Sequence, residues 1–162
     1  MTPIDALIHQ FEYGRMRLLK TLSDIEALPV ADELLHWRMP FGKGRAHIGW
    51  QMMHCAATLD RYLNVRILEK DPVDSHLVTN YAGGSNPDDQ VRITPDQIRS
   101  ALAATAPPFL SYFRALSEDR LSQKPHERAD RTHVEIFHLL TWHEAHHQGQ
   151  CHLAMNCFMA GR

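Results

Sequence analysis

Between Thr132 and Gly161 the side chains Ile136, Phe137, Leu140, Cys151, Ala154 and Phe158 recur at helical spacing, and His143 and His147 fall on the same stripe. Thr132 and Glu135 bracket His133 and Val134 as a capping box, and Gly161 lies past the expected end near Met159. A long helix that is apolar on one side is not stable alone and has to bury that side against other elements. No stretch of the chain reads convincingly as a strand, so those partners must be helices. The stripe also places two imidazoles where core residues belong.

Three further helices are expected. Thr2-Pro3 opens the first, with Asp5 in its first turn. Ile4, Leu7, Ile8, Phe11, Leu18, Leu22 and Ile25 follow, and it stops near Leu28, ahead of Pro29. Val30 to Gly44 reads as a connector that packs down through Trp37, Met39 and Phe41, with Gly42 and Gly44 around Lys43 as a flexible lead into the next element. The second helix is expected from about Arg45 to Lys70, with His47 and His54 on one face. Residues 72–94 carry Pro72, Gly83-Gly84 and Asn86-Pro87 and read as a long crossover, which lets the second and third helices run parallel. Thr94-Pro95-Asp96-Gln97 is another capping box. The helix after it contains Pro107-Pro108, which predict a kink or a split. Residues 117–131 read as a polar loop with one short turn. The fold class is all-α: a four-helix bundle with a long crossover between helices two and three, forming a single domain over 1–162.

Composition narrows the partners. At 44% hydrophobic and 22% charged the chain is ordinary for a globular protein, and its net charge of −2 makes no electrostatic case for nucleic acid. Cys55, Cys151 and Cys157 are odd in number, form no CxxC and sit in expected helices, which fits free thiols in a reducing compartment. The start has neither a basic nor an apolar leader region, and no apolar run reaches membrane-spanning length. The expectation is a cytoplasmic protein without a membrane or nucleic-acid partner.

The 12 histidines are the outlier. His143 and His147, one turn apart, stand about 6 Å apart along a helix axis. Two neutral imidazoles at that spacing can close on one divalent metal, and metal plus an acceptor satisfies a buried ring. The bland alternative is a pair hydrogen-bonded across the bundle or sitting at its wet end. His47 and His54 are both placed to supply a third ligand. His146 points one residue around the helix, toward a neighbouring shell or the surface. His138 and His152 lie off the stripe. Gly149 invites either close helix contact or simple tolerance, and Gln150 either a ligand-orienting role or solvent.

The run His143-Glu144-Ala145-His146-His147-Gln148-Gly149-Gln150 resembles the HxxHHxGQ signature of the DinB-like superfamily, which includes thiol-dependent transferases related to mycothiol-dependent maleylpyruvate isomerase. Ile48-Gly49-Trp50-Gln51-Met52-Met53-His54-Cys55-Ala56-Ala57, with its tail Asp60-Arg61-Tyr62-Leu63, resembles that family's second-helix motif. The resemblance implies a metal triad of His54, His143 and His147 facing each other across helices two and four, with His54 preferred to His47. Three imidazoles leave an open position, the catalytic type of site. It implies zinc or nickel as the divalent metal, hydrolase or thiol-transferase chemistry on a small molecule, a low-molecular-weight thiol as possible partner, and a homodimer.

Two other readings compete. A metal-stabilised bundle without catalysis would serve interaction or regulation. His143-Glu144-Ala145-His146-His147 also satisfies H-E-x-x-H, in which Glu144 would be the base of a zinc peptidase, but Gly149 and His152 both fall one residue early for the extended motif. Ligands of ordinary pKa would lose metal below about pH 6.5.

Overall fold

The computed structural model describes residues 2–40 and 46–161. Phe41, the Gly42-Lys43-Gly44 lead-in and the expected helix start at Arg45 lie outside them. Seven α-helices follow in order: α1 Pro3–Glu26, α2 Ala31–His36, α3 Ile48–Asp60, α4 Ser75–Tyr81, α5 Pro95–Arg114, α6 Glu118–Leu121 and α7 His133–Ala160. From Arg61 to Ile67 the helix begun by α3 continues with the wider i→i+5 winding, seen in the bond from Leu68 N to Leu63 O at 3.0 Å.

The local signals at helix starts are realised by hydrogen bonds. Thr2, Thr94 and Thr132 each cap a helix, and each donates its backbone N–H in return to the side chain of Asp5, Gln97 and Glu135, with Pro3 and Pro95 as first helical residues. Each such cap contributes about 1 kcal/mol by satisfying backbone donors that have no partner inside the helix.

Two apolar clusters fill the bundle, and their membership shows how the long helices run. Leu18, Leu22 and Ile25 of late α1 share one cluster with Met52 and Cys55 of α3, Ile98 and Leu102 of early α5, and Cys151 and Phe158 of late α7. Ile8 and Phe11 of early α1 share the other with Leu63 and Ile67, Phe109 and Phe113 of late α5, and Phe137 and Leu140 of early α7. So α1 and α7 point one way, and α3 and α5 point the other. Parallel α3 and α5 need a connection as long as the bundle, and the segment containing α4 makes it.

Several sequence expectations change. The connector after α1 holds the short helix α2, which buries Leu34 and Leu35. The crossover holds α4, which buries Leu77 and Tyr81. The second long helix is α-helical only to Asp60. Pro107 and Pro108 do not split α5, which runs through both. An interior proline costs about 3 kcal/mol. Here Phe109 and Phe113, both fully buried, hold the turn in place, at roughly 1.5–3 kcal/mol for each buried side chain. The expected single turn after α5 is α6. Among the described residues no helix is long and apolar enough to cross a membrane.

Candidate metal centre

Between the two apolar clusters α7 carries polar side chains in two directions. Glu144 points to α1, where its oxygens accept from Arg15 Nε and Nη2 at 2.8 and 2.7 Å. The third guanidinium nitrogen, Nη1, donates to the Leu102 carbonyl of α5 at 2.8 Å. Both partners are buried, Glu144 to 1% exposure. Burial acts to lower the Arg15 pKa, but the Glu144 carboxylate more than offsets this and keeps the guanidinium charged. The Arg15–Glu144 pair therefore ties three helices together. Held by Arg15, buried to 1% exposure and directed to α1 while His143 faces α3, Glu144 is not placed as the base of an H-E-x-x-H peptidase.

His143, one residue earlier, points the other way, to α3. Its Nε2 lies 2.9 Å from His54 Nε2. Ligand nitrogens of His54, His143 and His147 all lie within 4.8 Å of one another. Two nitrogens on one tetrahedral zinc, each at about 2.0–2.1 Å, stand about 3.3 Å apart. The triad brackets that spacing, so shifts of side chains alone would set three ligands around one ion.

The ring nitrogens are sorted by their other contacts. His54 Nδ1 lies 2.5 Å from the Tyr81 carbonyl, which can only accept, so the proton sits on Nδ1 and Nε2 keeps its lone pair. Tyr81 comes from α4, the crossover helix. Trp50 stacks flat on the His54 ring, with centroids 4.7 Å apart and planes at 11°. Gln51 donates through Nε2 to the Ala46 carbonyl, which turns its Oε1 toward His147 Nδ1 at 3.3 Å. His54 and His147 thus each have a carbonyl acceptor behind the ring, which is how metal-binding histidines are usually held.

Electrostatics favour neutral rings. His143 and His147 are both pushed down to about 3, first by burial and then by the neighbouring imidazoles. His54 is lowered by burial, partly opposed by its bond to Tyr81. Protons therefore compete with a metal only well below the pH 6.5 expected of ordinary histidines. Among the described residues no carboxylate joins the cluster, so a divalent ion held here would keep its whole charge of +2.

The other candidates go elsewhere. His47 does not share a helix face with His54; it is the N-cap of α3, and its Nδ1 accepts from Trp50 N at 3.1 Å. Its ring packs on His36, 5.3 Å between centroids, so it supplies no third ligand. His146 is exposed, stacks on the exposed Trp142 and bonds Gln150. His138 and His152 are exposed, as expected. A methyl group built on Gly149 would meet nothing within 4 Å, so close helix contact does not explain that glycine. Cys55 and Cys151 are free and buried, and burial pushes both thiols up and keeps them protonated. Sequence reasoning assigned no role to Gln51, Trp50 or the Tyr81 carbonyl. The first two sat in the quoted second-helix motif, whereas nothing local marks Tyr81.

Cavities open on both sides of the triad. One of about 250 Å³ reaches His147 between Trp37, Met39, Trp50 and Leu153. Another of about 240 Å³ reaches His54 and His143 beside Arg61, Tyr62 and Arg66.

No curated protein matches the chain. The sequence profile of the DinB superfamily matches residues 10–151, a span that takes in His54, His143 and His147 together, and the chain belongs to that superfamily.

Proposed function

We propose that His54, His143 and His147 hold one divalent metal, zinc or nickel, and that the chain is a metal-dependent hydrolase or thiol S-transferase acting on a small molecule. The observation that carries this reading is the convergence of three neutral imidazoles at a point reached by two cavities. A closed structural site would have side chains over the remaining position; here the surroundings leave room for ligands. Bound there, a divalent ion acts as a Lewis acid and lowers the pKa of a water or thiol beside it.

The chain's own residues do the rest. The Tyr81 carbonyl and Gln51 hold the rings of His54 and His147 with lone pairs inward. Trp37, Met39 and Trp50 offer an apolar wall to a substrate beside His147. Cys55 and Cys151, buried and protonated, are not nucleophiles, so a transferred thiol comes from outside as a low-molecular-weight molecule. Membership of the DinB superfamily supports the metal; a homodimer rests on the same resemblance.

Elemental analysis of the gently purified protein, beside His54→Ala and His143→Ala, tests the site. Near-stoichiometric metal in the parent and its loss in both variants is the expected result, after which thiol-transfer and hydrolysis substrates separate the two chemistries. A parent that takes up neither zinc nor nickel when offered would overturn the proposal and leave a bundle without catalysis.

A further inference from the structure

Resting on the metal reading above, we propose that the cavity between the Arg61–Ile67 segment and α7 is a subsite for the oxyanion group of the substrate, a carboxylate or a phosphate, with Arg61 and Arg66 as its cationic clamp.

The winding of the helix is the first ground. Residues five apart on an α-helix point about 140° away from each other. Between Arg61 and Ile67 the chain is wound i→i+5, which brings residues five apart onto the same side of the helix, about 50° from each other. Arg61 and Arg66 are such a pair, and both line a cavity that also reaches His54 and His143. Regular α-helix would turn one of them away.

Charge is the second ground. Among the described residues no carboxylate lines this cavity. The acids that flank Arg61 and Arg66 in sequence, Asp60 and Glu69, are committed elsewhere. Asp60 accepts from Asn64 Nδ2 and from the backbone N–H groups of Val73 and Asp74, at 2.6, 3.0 and 2.9 Å. Glu69 pairs with Arg128. Arg61 uses one of its donors on the Gly83 carbonyl at 3.2 Å and keeps the others. Among the described residues neither Arg61 nor Arg66 has an ion-pair partner. Three neutral imidazoles leave the metal's charge uncancelled, so two guanidinium groups and the metal position face one cavity of about 240 Å³ with no built-in counter-charge. A small anion is the ligand that relieves this. Guanidinium groups bind carboxylate and phosphate through paired, charge-assisted hydrogen bonds.

The test is calorimetric titration of the zinc-loaded protein with succinate, with inorganic phosphate and with neutral succinamide, in low and moderate salt. The parent, Arg61→Gln, Arg66→Gln and the double variant are compared, and metal per chain is measured in each. The expected result is binding of an oxyanion but not of succinamide, weakened at least 10-fold in the double variant and by added salt, with metal content unchanged. Whether succinate or phosphate binds more tightly distinguishes the two sources of the oxyanion. Equal affinity in parent and double variant, or no anion binding by a parent that carries metal, would overturn the subsite while leaving the metal reading intact. Absence of metal from the parent would overturn the metal reading instead, and the same titrations of the metal-free protein would still decide whether the arginines bind an anion.

Discussion

Glu144→Gln separates a structural carboxylate from a catalytic one. In the folded protein both Glu144 oxygens accept from Arg15, and both partners are buried. The amide keeps one acceptor, turns an N–H₂ toward the guanidinium and leaves a buried cation without its counter-charge. Breaking a buried pair from one side costs about 3–5 kcal/mol. For a chain of this size each kcal/mol shifts the melting temperature by roughly 2–4 °C, so a fall of about 6–20 °C is expected. Thermal and urea unfolding of the metal-free protein measure it. Metal content of Glu144→Gln, measured well below its melting point, should equal the parent's, because the triad points to the other side of α7. A second variant controls for the loss of charge: Arg15→Met with Glu144→Leu removes both charges, and well-packed apolar replacements of buried pairs are often neutral or better. It should recover most of the lost stability. A Glu144→Gln protein that melts with the parent yet loses metal or turnover would refute this account and restore Glu144 as a base.

Removing the acceptor behind His147 with Gln51→Ala should weaken zinc affinity about 10–100-fold in chelator competition, with little change in melting temperature; unchanged affinity would remove Gln51 from the site. The pKa values of His47, His143 and His147, lowered to about 4, 3 and 3, mean that the unfolded chain takes up protons first as pH falls below 6.5. Stability of the metal-free protein is therefore full above about pH 6.5 and declines toward pH 3–4, on the order of 2 kcal/mol for each group by pH 5; a melting temperature constant from pH 7 to 5 would contradict these shifts. Gly149→Ala adds a methyl group to an exposed helix position with open space around it and should stabilise by about 0.5–1 kcal/mol in urea unfolding, with metal content unchanged.

What was legible in the sequence was local. Thr2, Thr94 and Thr132 announce their helices because a cap bonds to a residue only three positions on. The stripe of α7 placed His143 and His147 inward because both lie on one turn. Where sequence reasoning failed, a distant contact had overridden the local preference. Pro107-Pro108 argued for a kink or a split; the split does not occur, and buried Phe109 and Phe113 hold α5 continuous. His47 and His54 were expected on one face at a spacing of seven, with His54 preferred as ligand, but the helix begins after His47 and makes that ring a cap. The change of winding at Arg61 has no local signature: no glycine or proline marks it.

The sequence by itself determined the helical class and the starts of α1, α5 and α7, and its resemblance to the DinB-like superfamily pointed to His54, His143 and His147 as candidate ligands. Only the tertiary structure decided what those residues meet. His54 and His143 are 89 residues apart, and Arg15 and Glu144 are 129 apart. Packing α7 between α1 and α3 sends His143 to one neighbour and Glu144 to the other, about 100° around the helix. Spacing along the chain orders residues on one helix; which residue of another helix stands opposite is set by how whole faces pack, and that depends on every buried side chain at once.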